Sequence, residues 1–374
     1  MIVWVIACLL GMATGLRIGW ALVHQQSVVS SAMIVALGSL AVVAALSWPP
    51  LTLLVDTALG WPNISVGLSQ VALIASAAGS CVMITSVAST RSAAGTRRAA
   101  VIQYCAAGLI AAITLALFLV DGRQTEVAPK EYLARNLGLA GQVLDWLIPL
   151  LYILLALTTV SWMGIRLSNA SRRGRALLVF TAGIVLLAAA SAFFVGRALG
   201  RAELEGVGTA VTLLLCAMAV VAAGALLPAI EDWIAARREL RLIEPLRREL
   251  QRRHPDIGIG VRPRGPLAFR VAERLSLISD ALYVEGMLAQ QTSGRAADGT
   301  AVPADVTQAA QARAVAQWIK AGRDGEDPAG GWGALPGRSW LRQPPDCSDR
   351  DWILEIARQY RASREGIDTL RQQT

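Results

Sequence analysis

Four polar residues in one short stretch give this chain its clearest prospect of chemistry. Asp56, Gly60, Asn63 and Gln70 place an acid, a turn-forming glycine and two amides at the start of an apolar run. An acid and an amide at the mouth of a helix, with a second amide one to two turns further in, could hold a polar ligand. The same types also suit a purely structural role: Asn63 capping the helix, Asp56 in water, Gln70 bonding a neighbouring helix. No reactive pattern stands beside them. The sequence has no GxxxxGK[ST], no HExxH and no GxSxG, and only two histidines, His24 and His254. Neither histidine is placed to serve a nucleophile, which argues against an enzyme. Five cysteines (Cys8, Cys81, Cys105, Cys216 and Cys347) form no CxxC pair, so no metal site and no cofactor is expected.

The elements that must position these residues are helices. The chain is 54% apolar and only 17% charged, and seven apolar runs recur, roughly 2–16, 28–48, 66–89, 100–120, 143–162, 176–195 and 207–227. Each of the longer runs is sufficient to cross a hydrocarbon core of about 30 Å. The first can reach Trp20 by carrying Arg17 at the interface; without a basic n-region it is expected to remain as a span. No Asp, Glu, Lys or Arg falls near the middle of a run, whereas ion-coupled carriers usually place such groups there. Gln70, Gln103, Tyr104, Tyr152, Thr158, Thr159 and Ser161 are the polar lining that remains. Connections after the odd runs hold eight arginines. Those after the even runs hold five basic residues accompanied by six acids. The positive-inside bias then sets the N-terminus outside and the C-terminus inside. The expected fold is all-α: a seven-transmembrane-helix domain over 1–229, followed by a cytoplasmic helical tail over 230–374, in the plasma membrane. Residues 49–64 hold an apolar piece too short to span, suited to an interfacial or re-entrant turn.

At the junction the composition changes abruptly. Arg237, Arg238, Arg241, Arg247, Arg248, Arg252 and Arg253 crowd one stretch, interleaved with Glu239, Glu244 and Glu249. Arg237, Arg238, Arg241, Arg247 and Arg248 could meet an anionic inner leaflet; a salt-bridged solvent face explains them equally well. Pro245 is expected to kink or restart the helix. Residues 231–374 carry 22 basic and 20 acidic residues, too balanced for a nucleic-acid-binding tail. Val271, Leu275, Ile278 and Leu282 mark one face of a tail helix. Ser348 and Asp351 have capping-box spacing before another. The Gly/Pro-rich segment 322–347 is expected to be mobile. On the first span, Gly11, Gly15 and Gly19 recur every fourth residue, a spacing that lets helices approach closely. They suit either a homodimer contact or packing within the chain.

The tail runs LIEPLRRELQRRHPDIGI, FRVAERLSLISDAL and DWILEIARQYRA resemble one actinobacterial family. Its members have seven spans and a C-terminal cytoplasmic domain of unknown function, and they are labelled transporters. The matching positions are Pro245 and Leu246, Pro255 and Ile257, then Arg270, Arg274 and Asp280. Asp56, Gly60 and Asn63 also fit the family pattern, although members often carry a histidine where Gln70 stands. The resemblance implies the topology, and it implies transport only through a label drawn from span count. Members are encoded near helix-turn-helix regulators and metallopeptidases, which suits signalling. The expected function is a non-enzymatic membrane sensor or scaffold whose tail recruits a cytosolic protein. The alternative is a transporter of a small solute.

Overall fold

A computed structural model describes residues 2–23, 27–89, 92–120, 125–137, 143–199, 207–257, 267–293, 302–303, 306–321 and 338–371. Among these there are twelve α-helices and no strand: α1 (Ile2–Val23), α2 (Val28–Leu46), α3 (Pro49–Leu59), α4 (Ile64–Ala88), α5 (Ala93–Val120), α6 (Pro129–Asn136), α7 (Val143–Leu167), α8 (Arg172–Ala198), α9 (Val207–Arg253), α10 (Leu267–Ser293), α11 (Gln308–Ala321) and α12 (Asp349–Arg371). Seven helices are long and apolar enough to cross a membrane: α1, α2, α4, α5, α7, α8 and α9. The protein is thus an all-α, multi-pass membrane protein. Several spans extend past their apolar runs. Helix α5 begins at Ala93, so Arg97 and Arg98 ride on its first turns, and α8 begins at Arg172. Long basic side chains can leave the apolar zone while their backbone stays helical.

The chain divides into two compact units, residues 1–228 and 229–374. In the first, α4 is the central helix: 61% of its span is buried, against 11% of α5. It packs on α2, α5 and α7, while α7 pairs with α8 and α1 with α2. Close approaches between helices use glycine. A Cβ on Gly79 of α4 would lie 2.8 Å from the Ala32 carbonyl and Ala36 nitrogen of α2. Ser76 donates to the Ala36 carbonyl at 3.0 Å across the same contact. Gly183 of α8 does likewise at α9, where an added Cβ would lie 2.6 Å from the Val221 nitrogen.

Helix α3 is the short apolar element between spans. Its eleven residues reach about 16 Å, too short to cross. Pro49 opens it in the first turn, where the missing N–H costs nothing, and Gly60 ends it at φ +63°.

In the second unit, the C-terminal part of α9 packs with α10, α11 and α12 around one core. Ile243, Leu246, Val315, Ile319, Trp352, Ile353, Ile356 and Tyr360 are all at least 98% buried there. Pro245 does not restart the helix, one of the two outcomes expected of it: α9 is continuous from Val207 to Arg253. Ile243, Leu246 and Leu250 lock both sides of the proline into the core, and tertiary packing outweighs one lost backbone bond. Helix α12 starts as expected. The Ser348 hydroxyl accepts from the Asp351 N–H at 3.1 Å and donates to its carboxylate at 2.7 Å.

The segment 322–347 divides in two. Residues 322–337 lie outside the described residues. Residues 338–347, expected to be mobile, are instead docked. A 3-10 turn at Arg338–Leu341 presents Trp340 and Leu341 to the tail core. The buried Gln311 amide donates to the carbonyls of Trp340 and Arg342 at 2.9 and 3.0 Å.

Candidate functional site

Asp56, Gly60 and Asn63 do meet, but they build structure. Gly60 turns the chain after α3, letting Trp61 donate to the Asp56 carbonyl at 3.2 Å. The Asp56 side chain is then buried against the start of α4. It accepts from the Asn63 N–H at 3.1 Å, the Ser65 N–H at 2.8 Å and the Ser65 hydroxyl at 3.2 Å. A carboxylate there satisfies first-turn donors and faces the positive end of the helix dipole. So Asp56 is not solvated. It caps α4 from a distance.

Asn63 does not cap α4 with its side chain. It adopts φ +60°, a left-handed conformation that asparagine tolerates better than most residues. Its amide reaches the segment before α6: it donates to the Thr125 carbonyl at 3.0 Å and accepts from the Val127 N–H at 3.1 Å. Both ends of the amide are satisfied, which fixes the approach to α6 over α4. Tyr132 of α6 then packs between Phe118 and Trp146, with ring centroids 6.2 and 6.4 Å away.

Beneath this cover lies a cavity of about 200 Å³. Its walls come from α2, α3, α4, α6, α7, α8 and α9, including Leu46, Pro49, Leu73, Leu133, Trp146, Pro149, Leu150, Phe194 and Leu214. The polar side chains lining it are Ser47, Ser65, Ser69 and Gln70, and no ionisable residue among the described residues lines it. Ser47 donates to the Val43 carbonyl at 2.8 Å, and Ser65 is held by Asp56. Gln70, half-buried, makes no hydrogen bond to a described residue. Pro149 stands inside the continuous helix α7 at this wall.

The other polar candidates do not join Gln70. Gln103 donates to the Tyr152 hydroxyl at 3.0 Å, linking α5 to α7. Thr158 and Thr159 donate to carbonyls one turn back in their own helix. Gly11, Gly15 and Gly19 lie on the outward side of α1, and a Cβ at any of them would meet nothing within 4 Å. Gly79, Gly183 and Gly224, by contrast, lie against the backbone of a neighbouring helix.

In the tail, the arginines separate into two groups. Arg237, Arg238 and Arg241 are exposed, and Arg237 stacks over Trp233 at 4.9 Å. With exposed Ile230, Trp233 and Ile234 they share one side of α9. Arg247 and Arg248 instead bind Glu244, at 3.0 and 2.8 Å. Arg274 of α10 joins them at 2.7 Å. The Arg247 hydrogen bond, with help from Arg248 and Arg274 and against burial, holds the Glu244 carboxyl below its ordinary range. Sequence spacing did not show the inner cluster. Buried Glu249 and Glu285 face Arg253, at 3.6 and 3.4 Å, and His254 lies 3.1 Å from Glu285. Arg253 also donates to the Ile319 carbonyl. Of the remaining tail positions, Leu246 is fully buried and Ile257 packs on the core, while Pro255 and Asp280 are exposed. Arg270 is half-buried. Among the described residues, no group of His, Cys, Asp and Glu is arranged to hold a metal.

No family model matches the chain, and neither a curated protein nor a solved structure matches it.

Proposed function

We propose that this protein is a non-enzymatic membrane sensor or scaffold whose tail, residues 230–374, recruits a cytosolic protein. The observation that carries this reading is the tail core. Four helices close around Leu246, Ile319, Trp352 and Tyr360, a folded body far larger than a membrane anchor requires. The positive-inside bias supports a cytoplasmic tail in the plasma membrane. The exposed Ile230, Trp233 and Ile234 with Arg237 and Arg241 suit an anionic lipid surface beside the span. Arg247 and Arg248 belong to the tail's own ion pairs. The near-balanced charge of the tail speaks against nucleic acid.

Affinity capture of the intact protein from membranes, compared with a chain lacking residues 230–374, tests the proposal. A partner lost with the tail is expected; identical captured sets and identical phenotypes would sink it.

Transport is the second reading, favoured by the cavity beside Pro149, a proline inside span α7. In reconstituted vesicles it requires saturable flux that falls in Gln70→Leu. The outward glycines of α1 favour a homodimer, since no described residue covers them. Crosslinking between copies at α1 that survives Gly15→Leu would dispose of that contact.

A further inference from the structure

We infer that the cavity under α3 and α6 is a binding site for an uncharged, mostly apolar small molecule carrying one hydroxyl, carbonyl or amide group. Size sets the first limit. An engineered apolar cavity of about 150 Å³ holds benzene, so about 200 Å³ accommodates a somewhat larger molecule. Charge sets the second. With no ionisable side chain among the described residues of the wall, a buried ionic ligand would have no counter-charge and would stay in water.

The polar groups set the third limit, and they decide the ligand's chemistry. Ser47 and Ser65 are already engaged, with the Val43 carbonyl and the Asp56 carboxylate. Gln70 and Ser69, adjacent on α4, line the cavity without a bond to a described residue. A glutamine amide offers both a donor and an acceptor, so it can pair with a hydroxyl or a carbonyl equally. The half-buried Gln70 amide lines the cavity with both its donor and its acceptor free of described partners. The rest of the wall takes the apolar body, with Trp146 and Phe194 as flat surfaces. The cover over the site is fixed by Asn63, whose amide donates to Thr125 and accepts from Val127. The site is therefore preformed. It gives the proposed sensor an input, but its existence does not depend on what the tail binds.

The test uses the full chain in lipid nanodiscs and an octanol bearing a diazirine as the photolabel. Label is expected on cavity residues such as Leu73 and Leu150, saturably, and displaced by octanol. Octanoate at a pH where it is ionised should displace it poorly. Gln70→Leu should cut the preference for octanol over octane by about three- to tenfold, the worth of one hydrogen bond. Leu73→Trp and Val211→Phe, which fill the space from two different helices, should each abolish saturable labelling while the protein stays monodisperse. Labelling that persists in both filled variants overturns the inference, as does displacement by octanoate equal to that by octanol. Displacement only by added phospholipid would assign the cavity to a lipid tail and likewise overturn it. If tail-dependent capture persists while labelling fails, this inference falls alone; if capture fails while labelling holds, only the sensor reading falls.

Discussion

Where α4 crosses α2, Gly79 brings two backbones together and Ser76 bonds across the gap. Where the tail helices meet, Trp352, Tyr360, Ile243 and Leu246 fill the space, and Glu244, Glu249 and Glu285 meet arginines at the margins. The two units solve packing differently because their solvents differ. In water, burying large apolar side chains is the driving force. In lipid that force between helices is missing, so close backbone contact and interhelical hydrogen bonds must replace it. Buried carboxylates follow the same division. Asp56 is held by backbone N–H groups at a helix start, with no cation among its described hydrogen-bond partners, whereas Glu249 and Glu285 in the tail are held by guanidinium groups.

The sharpest way to break this contrast is Gly79→Leu. Its side chain would have to occupy space already filled by the α2 backbone, so detergent-solubilised protein should be lost or aggregated by size-exclusion chromatography. The same substitution at Gly15, where nothing is near, should leave a folded monomer. Trp352→Ala should cost the tail about 3–5 kcal/mol by cavity formation, read as a lower unfolding temperature. Melting of the seven-span unit should not move with it. Asp56→Ala strands two backbone donors of α4, a loss of about 2–3 kcal/mol. Asp56→Asn, which keeps an acceptor oxygen, should recover part of it in a thermal-shift assay.

The smallest effect concerns pH. The Glu244 carboxyl is depressed in the folded tail, so its contribution is fully present above the ordinary carboxylate value of 4.5 and is lost as pH falls through the folded value. Partly exposed ion pairs are worth under about 1 kcal/mol, so Glu244→Gln should flatten only slightly the acid side of a stability–pH curve. An unchanged curve would show that the Arg247 and Arg274 contacts contribute nothing measurable.

Span positions were legible because a run of apolar residues is a local property, and the membrane demands it of every span. The tail faces were legible for the same reason: Val271, Leu275, Ile278 and Leu282 recur at helical spacing and all four are buried. The Ser348–Asp351 cap lies within four consecutive residues. The site was harder. Spacing brought Asp56, Gly60 and Asn63 to attention but suggested a ligand or a solvated acid. The docked part of 338–347 looked like linker because its anchors are Gln311 and the core of another segment.

The sequence alone therefore determined an all-helical chain with seven membrane-crossing runs and a charged, amphipathic tail, since periodicity and length are read within one helix. Tertiary structure decided the rest. It made Asp56 the cap of α4, turned Asn63 into the tie that holds the cover near α6, and left Gln70 facing a cavity. It also separated Gly79, which touches another backbone, from Gly15, which touches nothing. The physical reason is that these roles belong to partners distant along the chain: Asn63 bonds residues 62 and 64 positions away, and no local pattern encodes that meeting.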